Sequence, residues 1–410
     1  MSKLDELLQE LCPNGVKFRP LDKCCIILDN KRKPVTKALR KSGIYPYYGA
    51  NGIQDYISEY IYNGTFILIG EDGSVITPNG TPVVTWASGK IWVNNHAHVL
   101  SESTDVSLRY LFHFIQTINI APLVHGNIPK LTGSDLRAIS IPVPPLEIQR
   151  EIVRVLDKFT MLSAELSAEL SARQKQYGFY REKLLLKHSS SKHVKILDML
   201  SQPITDGPHT TPTFVSDGIP FISVDAIWDG KIHFEKMRGY ITPEFDKECS
   251  KKYKPKKNDV YMVKSGSTTG KVAFVDTDRD FNIWSPLAAM RVNSNYLSRY
   301  LFHLLQTDFI QNQIKAKSSH GSQPNLSMSV LEQIEVDVPP LDVQQRIVNV
   351  LDNFDAICSD LNIGLPAEIS ARQKQYEYYR DLLLSFKNID NITDRQTDRQ
   401  TDRQTDRQTD

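Results

Sequence analysis

The strongest constraint on this chain is that it repeats itself. Val143-Pro144-Pro145-Leu146-Glu147-Ile148-Gln149 returns as Val338-Pro339-Pro340-Leu341-Asp342-Val343-Gln344, and residues 143–159 match 338–354 at 11 of 17 positions. Ser171-Ala172-Arg173-Gln174-Lys175-Gln176-Tyr177 recurs unchanged as residues 370–376. Arg109-Tyr110-Leu111-Phe112-His113 returns as Arg299-Tyr300-Leu301-Phe302-His303, and His125-Gly126 with Pro129 and Leu131 returns as His320-Gly321 with Pro324 and Leu326. Matches kept in one order mean two copies of one unit. Residues 1–105 and 188–295, in contrast, share almost nothing. Each copy is a variable head followed by a constant segment, so one frame carries two unlike heads.

The constant segments read as helices. A proline pair is tolerated only at a first helical turn. After each pair, apolar residues recur at helical spacing: Ile152, Leu156, Phe159, Leu162 and Leu166 in one copy, Ile347, Leu351, Phe354 and Leu361 in the other. The first helix, from Glu147 to Lys187, would extend about 60 Å at 1.5 Å per residue. One apolar stripe of that length needs a partner, and the economical partner is its own repeat, antiparallel. Leu-Ser-Ala-Glu occurs at 162–165 and again at 166–169, whereas the second copy has a longer stretch, Asp355 to Ile369, carrying Gly364 and Pro366. The first is a spacer or a ruler; the second is expected to kink or break. The predicted organisation is α/β (α+β): a first head at 1–141, a helix at 142–187, a second head at 188–336, a helix at 337–388 and a tail at 389–410. The heads would be separated by a pair of long antiparallel coiled-coil helices, in a pseudo-two-fold repeat.

Charge helps to say what the heads touch. Lys+Arg 49 against Asp+Glu 48 excludes a uniformly basic nucleic-acid coat. Locally the balance differs: residues 17–41 hold nine Lys/Arg against two Asp, and residues 247–271 hold eight Lys against two acids. A solvated face explains either run alone; one in each head points towards a polyanion such as DNA. Polar turns beside these runs have the donors and acceptors that phosphates and base edges require. In the first head the candidate contacts are Lys31, Arg32, Lys33, Tyr47, Tyr48, Asn51, Lys90, His125 and Lys130. In the second they are His209, Thr210, Thr211, Lys264, Ser265, Ser267, Thr268, Lys271, His320, Gln323 and Asn325. A structural turn accounts equally well for the two His-Gly elements.

Catalytic signatures are missing from the sequence. Gly266-Ser267-Thr268-Thr269-Gly270-Lys271 has its glycines one residue too close for a phosphate loop, and Val272 stands where a magnesium-binding hydroxyl belongs. His96 and His98 with Cys24 and Cys25 make a poor zinc set, so buried thiols and surface histidines are expected and no metal site is assigned. Asn-Pro-Pro-aromatic, the mark of adenine methyltransferases, does not occur. Five cysteines without a framework suit a reducing cytoplasm, and the start of the chain has no export signal.

Duplicated Pro-Pro-Leu-x-x-Gln-x-x-Ile-Val-x-x-Leu-Asp helices after dissimilar heads resemble the specificity subunits of type I restriction–modification systems. So do Tyr45-Pro46-Tyr47-Tyr48-Gly49-Ala50-Asn51-Gly52 and Ile67-Leu68-Ile69-Gly70-Glu71-Asp72-Gly73-Ser74. Asp206-Gly207-Pro208-His209-Thr210-Thr211-Pro212 adds to the likeness, and the Leu-Ser-Ala-Glu repeat is similar to the tetrapeptide repeats that set target spacing in that family. The resemblance implies a non-catalytic subunit whose heads each read half of a bipartite double-stranded DNA target. It implies that the helices fix the gap and bind two methyltransferase subunits, with Leu146, Gln149, Ile152, Leu156, Leu341, Gln344, Ile347 and Leu351 as partner-binding positions. Two restriction subunits could join. No cofactor is expected on this chain: S-adenosylmethionine would sit on the methyltransferase, ATP and Mg on the restriction partner. A methyltransferase-only or BcgI-like system, a self-contained DNA-modifying enzyme and a protein-binding coiled-coil scaffold are the alternatives.

Residues 393–410 read Thr-Asp-Arg-Gln four times and then Thr-Asp, a composition that cannot bury a core. One repeating tetranucleotide can encode all four residues. A phase-variable gene, differing in repeat number between colonies, is the expectation.

Overall fold

The computed structural model of the chain describes residues 3–186, 191–318, 324–359 and 362–389; the Thr-Asp-Arg-Gln tail, His320 and Gln323 lie outside them. Two compact units form. One takes the chain up to Glu165 together with the part from Ser370 onward, and the other runs from Leu166 to Ile369. Each unit therefore combines a head, the start of the helix that follows it and the end of the helix belonging to the other copy.

The prolines act as their position dictates. Pro145 and Pro340 precede the helices Leu146–Leu186 and Leu341–Ser359, where a missing N–H costs nothing, and their carbonyls accept from Ile148 and Val343 at 3.0 Å each. The first helix runs 41 residues without a break. The second stops at Ser359 and restarts as Leu365–Leu383, with Pro366 in the new first turn. In the second unit, Arg173 acts on Cys358 while Tyr177 and Tyr180 stack on Phe354. Rising residue numbers on one helix meet falling numbers on the other, so the two segments are antiparallel there.

The heads share a core that their sequences hide. The first has a six-stranded sheet in the order Ile26–Ile27, Ala97–Ser101, Tyr62–Gly70, Val84–Val93, Ser42–Gly49, Gly52–Ile57. The second has a four-stranded sheet, Thr205–Asp206, Leu287–Met290, Val260–Val263, Val272–Phe274, beside a smaller three-stranded one. The first four strands of the one and the four of the other follow the same order, all antiparallel. Register aligns them: Ile67 lies between Leu100 and Trp86 as Val260 lies between Met290 and Phe274. A short antiparallel pair closes the base of each head, Lys17–Pro20 with Ser140–Val143 and Lys192–Lys195 with Glu335–Val338.

Three of the four repeated motifs meet in one place in each unit. In the first, Asp157 Oδ1 accepts from Arg109 Nε and from His113 Nε2, both at 2.8 Å, and the Tyr376 hydroxyl reaches His113 Nδ1 at 2.9 Å. In the second, Asp352 Oδ1 accepts from Arg299 Nε at 2.8 Å and His303 Nε2 at 2.7 Å, and Tyr177 reaches His303 Nδ1 at 3.3 Å. With Nε2 donating to a carboxylate, Nδ1 of each ring accepts the tyrosine proton. Each tyrosine comes from the other copy's constant helix. The guanidiniums lie over aromatic rings, Arg109 on Trp86 and Phe112, Arg299 on Phe274 and Phe302, at 4.5–4.9 Å.

Burial, reinforced by the neighbouring arginine, holds His113 and His303 below the usual imidazole range against the pull of Asp157 and Asp352. The unfolded chain therefore takes up these protons first, and the stability that the neutral rings contribute is present above about pH 6.5 and lost as pH falls. The exposed His193, raised by Asp337 and Glu335, works in the opposite sense. Melting temperature measured from pH 7.5 to 5 is expected to fall, and to fall less steeply in a His113→Gln/His303→Gln variant; equal slopes would contradict this.

Candidate nucleic-acid interface

At the same end of both core sheets lies the same loop cluster. Beyond Gly70, Leu131 N–H donates to the Glu71 carbonyl at 2.9 Å and Gly73 N–H to the Pro129 carbonyl at 3.0 Å. Beyond Val263, Leu326 N–H donates to the Lys264 carbonyl at 2.8 Å and Gly266 N–H to the Pro324 carbonyl at 2.9 Å. Gly73 and Gly266 take φ +75° and +97°, a turn that side chains resist. Glu71 thus stands where Lys264 stands, Asp72 where Ser265 stands and Lys130 where Asn325 stands. The repeated Pro-x-Leu clamps one loop in each head, and the clamped residues differ in charge.

A half-buried or buried aspartate at the sheet edge organises each cluster. Asp29 accepts from Val99 N–H and His98 Nδ1 at 2.8 and 2.6 Å, with Arg32 three residues on at 3.5 Å. Arg32 also pairs with Glu71, which Lys130 approaches to 3.5 Å. Asp206 holds Lys252 at 2.5 Å, Lys264 at 3.2 Å and His209, again three residues on, at 3.2 Å. Burial opposes the charge on both carboxylates. His98, Val99 N–H and Arg32 outweigh it at Asp29, as Lys252 and Lys264 do at Asp206, so both lie below the ordinary carboxylate range. Ligand atoms of Asp29, Glu71 and His98 lie within 4.8 Å of one another, close enough for a cation, but the Arg32 guanidinium already supplies the positive charge.

Arg32, Lys130, His209, Lys264, Ser265 and Asn325 thus belong to two equivalent clusters, and His125 lies beside the first, paired across from Lys130. Asn51 joins the first: it is exposed at the tip of a hairpin whose buried Ala50 has its carbonyl 3.3 Å from where a side chain at Gly70 would begin. Ser267, Thr268 and Lys271 continue the second loop, and His209, Thr210 and Thr211 are exposed beside it. Lys31 and Lys33 are exposed and free of ion pairs among the described residues, as are Lys37 and Lys41.

Several expectations need correction. Tyr47 is 1% exposed and its hydroxyl accepts from Val35 N–H, while Tyr48 packs in the sheet core, so neither is available to a ligand. Lys90 pairs across from Asn63, seven residues up the strand from Gly70, about 23 Å away at strand rise, and rests over the Tyr60 ring at 4.8 Å. Arg32 and Lys264 are each 14% exposed and already paired. Half of the eight lysines in the run at 247–271 are met by acids outside it: Asp206, Asp246, Asp278 and Asp280 take Lys252, Lys254, Lys257 and Lys264. His98 is buried, and the surface reading holds for His96 alone.

The helix positions also turn inward. Ile152 and Leu156 lie in the first head's core, and Ile347 and Leu351 in the second's. Gln149 accepts from Ser107 N–H at 2.8 Å and donates to the Pro144 carbonyl at 2.8 Å; Gln344 does the same with Leu297 and Pro339 at 3.0 and 2.8 Å. These residues brace each head against its own helix. Leu146 is half-buried, and Leu341 alone among the eight is exposed. Sequence reasoning missed Asp29, Glu71, His98 and Asp206; the available signal was the spacing of Asp29 to Arg32 and of Asp206 to His209.

Two copies of the family domain described as Type I restriction modification DNA specificity domain match residues 13–173 and 214–371. The chain belongs to this family. A putative type I restriction enzyme specificity subunit of Haemophilus influenzae is 37% identical over 394 residues, covering 93% of this chain and 98% of that protein. The EcoR124I/EcoR124II specificity subunit of Escherichia coli is 33% identical over 302 residues, 70% of this chain and 72% of its own. The fold is that of a solved type I S subunit from M. genitalium, with a TM-score of 0.56, 15% identity, and 91% and 97% of the two chains covered. Among the described residues, no helix of this specificity subunit is long and apolar enough to cross a membrane.

Proposed function

We infer that this non-catalytic chain supplies DNA recognition to a type I restriction–modification complex, each head reading one half of a two-part target. The observation that carries the reading is the pair of equivalent loop clusters. Beside the buried pairs at Glu71 and Lys264, one core presents Asp72 and Lys130 in one head and Ser265 and Asn325 in the other. A common support with different polar groups is what two different half-sites demand. The helices would set the gap and receive two methyltransferase subunits, with restriction subunits joining that assembly. S-adenosylmethionine would be bound by the methyltransferase and ATP with Mg by the restriction partner.

Duplex binding by the complex with its methyltransferase, titrated with salt, tests this. Phosphate contacts make log K fall with log salt by about 0.9 per contact, so Lys31→Ala/Lys33→Ala should lower the slope by about two. An unchanged slope removes these lysines from the interface, and binding without target preference would overturn the reading.

A further inference from the structure

The Arg–Asp–His–Tyr chains do more than fill space. Within each unit, Gln149 or Gln344 and Asp157 or Asp352 tie the head to the helix that follows it in sequence. The tyrosine ties the same head to the opposite helix. Other ties to that helix lie at its end, where Val16 N–H donates to the Lys387 carbonyl at 2.9 Å in the first unit and Glu182 accepts from Asp308 N–H in the second. Tyr376 and Tyr177 act instead within the paired segments, where Phe159 stacks on Tyr379 at 5.3 Å and Phe354 on Tyr180 at 5.7 Å. A phenol bonded to a buried ring fixes helix rotation as well as separation, since one hydroxyl meets one nitrogen. The apolar contacts around it tolerate sliding.

We propose that Tyr376–His113–Asp157–Arg109 and Tyr177–His303–Asp352–Arg299 are positioning devices that lock each head in one rotational setting on its helix pair, and so determine how strictly the gap between half-sites is discriminated. The proposal rests on the two-half-site reading. These residues touch no base. They act through the angle at which the head is presented, and one base pair of gap changes that angle along a helical duplex.

The test uses the full chain co-purified with its methyltransferase, methylating duplexes whose gap is the natural one or differs by one base pair. For Tyr177→Phe/Tyr376→Phe, the preference for the natural gap should fall about fivefold or more, the factor one or two net hydrogen bonds supply. The half-site sequences should stay the same. A lowered melting temperature with unchanged gap preference would make the chains merely structural and overturn the proposal. Should the phenylalanine variant fail to assemble, Asp352→Asn, which keeps the shape but weakens the hold on His303, is read by the same ratio, and an undiminished ratio there also overturns it. A wild-type complex that methylates no two-part sequence would defeat the functional reading itself, a result visible before any substitution is made.

Discussion

Asp206→Ala is expected to destabilise the second unit by about 2–4 kcal/mol. Its side chain is 2% exposed and faces Lys252, Lys264 and His209. Removing one partner of a buried ion pair ordinarily costs about 3–5 kcal/mol because the opposite charge is left without compensation. Lys252 and His209, both more than half exposed, can turn to water, which lowers the figure; Lys264, at 14%, cannot. Calorimetry should show that unit melting about 5–15 °C lower. A shift below 2 °C would mean that solvent already compensates the cluster. Because Lys264 opens the loop assigned to a half-site, the same variant should also weaken duplex binding.

Replacing residues 1–141 with the corresponding head of another family member should change one half of the methylated sequence and leave the other intact. Each wrong base pair costs about 1–3 kcal/mol, so the preference for the original half should drop by orders of magnitude. Methylome sequencing reads both halves at once. The incoming head must keep the arginine and histidine that meet Asp157 and Tyr376, or the first unit loses its brace. Movement of both halves would contradict one head per half-site.

The frame of this protein was legible because helices advertise themselves locally. Proline pairs, an apolar stripe and an identical seven-residue motif need no knowledge of distant partners. The common core of the heads was not legible. Ile67–Ile69 and Val260–Met262 lie inside their sheets, where any apolar residue of suitable size serves, so only the pairing is kept. Charge misled for the opposite reason. Lys254 and Lys257 look free in a sequence window, yet their partners Asp246, Asp278 and Asp280 are brought beside them by folding. Tyr47 and Tyr48 sit in a polar turn-rich stretch that suggests ligand contact, but both faces of their strand are covered: Tyr47 packs with Ile57 and Trp92 on one side, Tyr48 with Tyr62 and Phe66 on the other. Asp29 and Asp206 escaped notice because acidic residues count against a DNA surface until their role as anchors for cations is visible.

The first unit includes Tyr376, Leu384 and the backbone from Lys387 to Ile389, which pairs with Val16, whereas the second, among the described residues, is made up of Leu166 to Ile369. A ribosome emits this chain from one direction only. The head synthesised earlier must wait, with its apolar seam uncovered, until translation has passed the whole of the later one, so the part of the molecule made first is completed last.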